Sequence, residues 1–204
     1  QGNVNPKFAG ITYSQSGGLI SNVETTGTRN TPFNGAQGTG YGIVQENTGN
    51  GTRKLRVFNS LIHDFQKGGI LAGDSATGPG LTLQVDDTEV VGQGVTTVNG
   101  QNGIVSRNHT KLLASGDSIS DLAWDGAVAN SAVGIYLLDG GNSSITDSTF
   151  DTIQSGIYGY TPAGTGTNRM PSPTAKPWIW RALLCRGRSS VPTSTRRTRS
   201  RPGP

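Results

Sequence analysis

One cysteine (Cys185), one methionine (Met170) and two histidines (His63 and His109) are all that 204 residues offer of those side chains. A lone cysteine excludes an internal disulfide framework and a cysteine-based zinc cluster, and it leaves the redox compartment open. No apolar run approaches the roughly 20 residues of a membrane-spanning helix, and no signal-peptide pattern is present. The chain begins at Gln1 and reads as a mature or excised fragment, so the missing signal does not argue for the cytoplasm. Helical periodicity is missing too, because Gly or Asn-Gly interrupts nearly every candidate window. Hydrophobic residues are 32%, thin for a core, but 31 glycines bring the apolar share to an ordinary level. Such a core has to be assembled from short β-branched segments separated by glycine turns.

Acidic residues are absent after Asp151. Residues 1–160 hold 8 Lys/Arg and all 13 Asp/Glu, a net −5, whereas residues 161–204 hold 9 Lys/Arg and no acid, a net +9. The basic balance of the whole chain therefore belongs to its end, and no nucleic-acid groove is expected in the body. The end also carries 7 of the 10 prolines, Trp178, Trp180 and the single Met and Cys. We expect a repeat domain over 1–160 and a basic Pro/Arg/Ser-rich tail over 161–204 that is disordered. One reading of this tail is an arm for acidic polymers or membrane surfaces. The other is a frame-shifted end, because the repeat stops mid-pattern without the polar capping unit that solenoids use.

What the body does contain is a repeat. Asx-Ser/Thr pairs begin at Asn59, Asp87, Asp117 and Asp147, intervals of 28, 30 and 30 residues. Around them the apolar residues align as Val57, Val85 and Ile145; Ile62, Val90, Ile119 and Phe150; Phe65, Leu122 and Ile153; and Ile70, Ile104, Ile135 and Ile157. One unit has too few apolar groups to enclose a core, but units stacked about 4.8 Å apart turn each set into a ladder. The pattern predicts three short strands per unit, stacked in parallel over about five coils. The Asx residues are expected to share one turn column, where they tolerate left-handed backbone. The glycine before each closing isoleucine is expected to supply positive φ at a corner.

The units VFNSLIHDFQKGGIL and ITDSTFDTIQSGIY resemble the repeats of right-handed parallel β-helix proteins of the pectate-lyase-like superfamily, over residues ~10–160. The resemblance implies an all-β, right-handed parallel β-helix solenoid. It also implies a secreted or cell-surface protein that works on polysaccharide, as a lyase or epimerase on uronate-containing chains. The alternative is a non-catalytic adhesin-type stalk or carbohydrate-binding β-helix.

Within that expectation, Arg107 and Lys111 in RNHTK form the one basic cluster of the body, with His109 between them. They are the candidates for a cation beside a substrate carboxylate and for a base. Asp86 and Asp87 are the candidate acid and base, and with Glu89 the candidate ligands of a Ca²⁺ ion held against a uronate. The plainer reading of Asp87 is a turn residue, which makes Asp86 the more interesting of the pair. Asp64, Asp121 and Asp151 form a second acidic column, read either as a Ca²⁺ ladder or as turn residues bonded to nearby amides. His63 is placed to flank a groove beside Asp64. The polygalacturonase pattern finds a match only at Asp86-Asp87, since its Gly-His-Gly and Arg-x-Lys elements are missing from residues 1–160.

Overall fold

The computed structural model describes residues 8–35, 40–49, 51–74, 80–126, 131–139 and 142–160. The expected disordered tail lies outside these residues. The described chain is all β, and no helix in it is long and apolar enough to cross a membrane. Its strands come in threes. The first triplet is β1 (Ala9–Ser14), β2 (Gly18–Ser21) and β3 (Glu24–Thr25); the second is β4 (Tyr41–Asn47), β5 (Arg53–Phe58) and β6 (Leu61–His63). The third is β7 (Gly68–Asp74), β8 (Leu81–Asp86) and β9 (Glu89–Thr96), and the fourth β10 (Asn102–Arg107), β11 (Lys111–Ser115) and β12 (Ser118–Trp124). The fifth is β13 (Val133–Leu138), β14 (Ser144–Thr146) and β15 (Thr149–Ile153), after which β16 (Ser155–Tyr160) opens another lap.

Each strand pairs with its counterpart one lap away, always in parallel. The first sheet runs β1-β4-β7-β10-β13-β16, the second β2-β5-β8-β11-β14 and the third β3-β6-β9-β12-β15. This is a parallel β-solenoid, as the repeat predicts. Its register reproduces the expected apolar ladders. Ile11, Ile43, Ile70, Ile104, Ile135 and Ile157 stack in the first sheet. Val57, Val85, Ala114 and Ile145 stack in the second, and Ile62, Val90, Ile119 and Phe150 in the third. Ile43, Ile62, Ile70, Ile104, Ile119 and Ile135 are fully buried. Each contributes roughly 1.5–3 kcal/mol by leaving water, which offsets the small number of apolar groups per lap.

The corner between the second and third sheets is two residues long in every lap, as the bounds of the flanking strands show. Its first position is left-handed throughout: Asn22, Asn59, Asp87, Gly116 and Asp147 have φ of 56°, 45°, 48°, 72° and 51°. Here the sequence reading needs a correction. Phe58 pairs with Asp86, Asp86 with Ser115 and Ser115 with Thr146, so Gly116, and not Asp117, completes the left-handed column. Asp117 stands one place on, in a column with Ser60, Thr88 and Ser148. Gly takes the position that best tolerates φ > 0, and the acid moves to the hydroxyl position.

The glycines before the closing isoleucines also have a different purpose from the one expected. Gly42, Gly69, Gly103 and Gly134 do not have positive φ. A β-carbon on each would lie 2.9, 2.8, 2.5 and 2.6 Å from the carbonyl oxygen of the corresponding glycine one lap on. It would also meet third-sheet side chains such as Ile62, Val90, Ile119 and Phe150. They are glycine because the first sheet packs its backbone against the third sheet's side chains, a closeness that excludes even a methyl group.

Candidate functional site

The residues proposed as catalytic fall on different faces. Strand β10 ends at Arg107, the left-handed pair Asn108 and His109 turns the corner, and Lys111 opens β11 in the next sheet. RNHTK is therefore not one basic cluster: Arg107 projects from the first sheet, and Lys111 is exposed on the second. Lys111 pairs with Thr82, four residues from Asp86 along β8, so it stands at the other end of the second sheet from that acid. Asp86 Oδ2 accepts from Arg56 Nε and from Gln84 Nε2, both at 2.8 Å. Arg56 in turn lies over the Phe58 ring, 5.1 Å from its centroid. Asp87 is the left-handed corner residue that the plainer reading expects.

Glu89 is exposed on the third sheet, paired with Leu61 and Ser118. Among the described residues no group of three or more His, Cys, Asp or Glu side chains is placed to hold a metal ion. Asp86, Asp87 and Glu89 thus do not fit the expected Ca²⁺ site, because a two-residue corner sends them to two sheets and a turn.

The second acidic column also dissolves. Ser120 pairs with Asp151, so Asp121 aligns with Thr152 instead. Asp64, just after β6, and Asp121 and Thr152, within β12 and β15, are left-handed residues with φ of 53°, 57° and 52°. Asp64 is ion-paired with Arg29 and accepts from Gln93 Nε2 at 2.9 Å. Burial raises its pKa, but these bonds outweigh that and hold it below the usual carboxylate value. His63 turns to Glu24 at 2.8 Å, and His109 lies 3.5 Å from Asp139. Neither histidine joins the acids singled out as catalytic.

Arg107 does reach a site. On the outward side of the first sheet, Thr12, Val44, Leu71, Val105, Tyr136 and Tyr158 form one column. Ser14, Glu46, Gly73, Arg107, Leu138 and Tyr160 form the next. Strand β7 puts glycine at both ends of its outward face. Tyr41 leans over Gly68, where a β-carbon would meet its Cε1 at 2.7 Å, and Arg107 leans over Gly73, where one would meet its Nε at 2.5 Å. These two large side chains flank Leu71 from opposite sides. The result is a cavity of about 170 Å³ with Val44 and Leu71 as an apolar lining and Arg107, Glu46, Thr12 and Tyr41 as its polar groups. Phe8 and Ala9 complete it.

The electrostatics follow from that packing. Arg107 Nε is buried and has no hydrogen-bond partner among the described residues. Burial raises the pKa of the Tyr41 phenol, and the positive charge of Arg107 draws it partly back. Farther along the same face, the Tyr136 and Tyr158 rings meet edge to face at 5.6 Å. Burial again raises the Tyr136 pKa, reinforced by Tyr158 and Tyr160. Tyr158 and Tyr160 are about half exposed.

No family model, curated protein or solved structure matches the chain. The chemistry of this face therefore has to be read from its own residues. Four of the chain's 5 tyrosines lie on it. The sequence reading missed Tyr41, Glu46, Tyr136, Tyr158 and Tyr160. The signal was available: the residue after each closing Gly-Ile points outward, and in the last two laps it is tyrosine.

Proposed function

We propose that the outward face of the first sheet binds an acidic, uronate-containing polysaccharide, and that the protein acts as a secreted or surface carbohydrate-binding β-solenoid. The observation that carries this reading is the Arg107 guanidinium, whose Nε is buried without a partner among the described residues in a cavity that also presents Glu46 and Tyr41. An unpaired, desolvated donor on a cation is costly until an anion meets it, and a carboxylate matches guanidinium geometry. Glu46, Thr12 and the Tyr41 hydroxyl suit sugar hydroxyls. The tyrosine rings combine a broad apolar body with a polar tip, which suits the C–H face of a pyranose. At about 170 Å³ the cavity is smaller than the roughly 300–1,000 Å³ of drug-sized ligand sites, so it takes one residue of a polymer. From β4 to β16 the face spans four interstrand steps, about 19 Å, enough to contact several residues of a chain lying along the solenoid axis.

Binding is favoured over catalysis because Lys111, Asp86 and Asp87 do not converge on Arg107. A lyase or epimerase reading would rest on Arg107 alone as the group next to the substrate carboxylate.

The test is calorimetric titration of the full chain with polygalacturonate, alginate and a neutral glucan, repeated with Arg107→Ala. Binding to the uronates, loss of it in the variant and no binding to the neutral polymer are expected. Equal binding to neutral and acidic polymers, or unchanged affinity in Arg107→Ala, would overturn the proposal. Absorbance at unsaturated-uronate wavelengths in the same samples reports any β-elimination.

A further inference from the structure

The second position of the two-residue corner carries side-chain hydrogen bonds between the first and second, third and fourth, and fourth and fifth laps. The Val23 amide donates to Ser60 Oγ at 3.3 Å, the Thr88 amide to Asp117 Oδ1 at 2.9 Å and the Asp117 amide to Ser148 Oγ at 3.4 Å. Each hydroxyl in the column also gives its own proton away. Ser60 donates to the Phe58 carbonyl at 2.9 Å, Thr88 to that of Asp86 at 3.0 Å and Ser148 to that of Thr146 at 3.0 Å. In all three cases the acceptor lies two residues upstream.

Asp117 occupies this column with a carboxyl group in place of a hydroxyl. It is 1% exposed, its Oδ1 does the accepting, and its Oδ2 is buried with no hydrogen-bond partner among the described residues. The equivalent upstream acceptor is the Ser115 carbonyl. Only the neutral acid has a proton to offer there.

The groups around Asp117 favour that form. Asp86 and Asp87 approach from β8 and its corner, and both disfavour a third negative charge. Asp87 Oδ1 lies against Gly116, where a β-carbon would be 2.5 Å away. Arg56, the cation beside Asp86, is committed to that acid. Asp147 of the next lap stands in the adjacent left-handed column. Among the described residues no positive side chain is ion-paired with Asp117.

We infer that Asp117 is a proton-operated latch: as the neutral acid it stands in for the missing hydroxyl and bonds back to the Ser115 carbonyl across the corner, and on ionisation it leaves a buried charge beside Asp86 and Asp87 that loosens the joint between β11 and β12. Burial first, then Asp86 and Asp87, push its pKa up from 3.8 to about 7, against the Thr88 amide hydrogen bond to its Oδ1. The sign follows from the upward shift. Between pH 4 and 7 the folded chain holds a proton that the unfolded chain has released, so stability is greatest at the acid end, falls as pH rises through about 7, and then levels off.

The experiment compares urea unfolding of the full chain at pH 5, 6, 7 and 8 in wild type, Asp117→Ser and Asp117→Asn. Serine restores the column's own hydroxyl, and asparagine keeps the shape without titrating. The wild-type unfolding constant should rise at least about tenfold more between pH 5 and 8 than that of either variant. Identical pH slopes in all three proteins would overturn the latch. So would a wild type more stable than Asp117→Ser at pH 8.

Discussion

A β-carbon on Gly73 would lie 2.5 Å from the Nε of Arg107. The glycine is thus a seat for a guanidinium that belongs to the next lap. Gly73 does not have positive φ, so alanine is compatible with its backbone. The obstructing atoms belong to a flexible side chain, so Gly73→Ala should change stability by less than about 1 kcal/mol. It should nevertheless displace Arg107 from the cavity. Under the binding proposal, affinity for polygalacturonate falls about tenfold while the urea midpoint stays close to wild type.

The glycine ladder behind the first sheet predicts the opposite kind of effect. At Gly103 the added β-carbon would meet the Gly134 carbonyl oxygen at 2.5 Å and Ile119 Cγ2 at 2.8 Å. Backbone cannot yield as a side-chain tip can. Gly103→Ala should cost about 2–3 kcal/mol by overpacking, read as a lower urea midpoint with an unchanged slope.

Thr152 is a β-branched residue at φ 52°, in the column that Asp64 and Asp121 fill elsewhere. A branched side chain is strained there, whereas asparagine is tolerated. Thr152→Asn should stabilise the chain by about 1 kcal/mol in the same unfolding assay. A destabilised variant would mean that the threonine side chain makes contacts worth more than its strain.

Asp86 provides a control on the site. Its partner Arg56 is 45% exposed, so the pair is screened by solvent and contributes at most about 1 kcal/mol. Asp86→Ala should leave polysaccharide binding intact, since Asp86 lies on the second sheet. Loss of binding in this variant, measured beside Arg107→Ala, would move the binding face there.

The architecture was legible because parallel stacking demands like residues at like positions. Ile70, Ile104, Ile135 and Ile157 are found one above another, as their spacing in the sequence requires. The error at Asp117 came from reading Asp-Ser as one unit. In Ser115-Gly116-Asp117-Ser118 the glycine takes the left-handed place and the dipeptide slips by one residue, a difference the dipeptide alone cannot reveal. The glycines before each isoleucine were found, but their cause was not, because crowding by a carbonyl on another lap leaves no local mark in the sequence.

The site was less legible for a related reason. Arg107 and Lys111 are four residues apart, a separation that looks like proximity until a corner intervenes and sends them to different sheets. Tyr41 and Arg107 are 66 positions apart, yet they flank the same leucine. Their meeting depends on two glycines of β7, neither of which carries any chemistry of its own.

The corner between the second and third sheets has one further consequence. Because it is two residues long in all five laps, a single residue gained or lost there would invert the facing of every side chain downstream within its lap. The other two corners already differ in length from lap to lap. Length variation in a lineage carrying this scaffold should therefore accumulate at those two corners. Foreign peptides grafted into the protein will be accepted along the same two seams and rejected at the third.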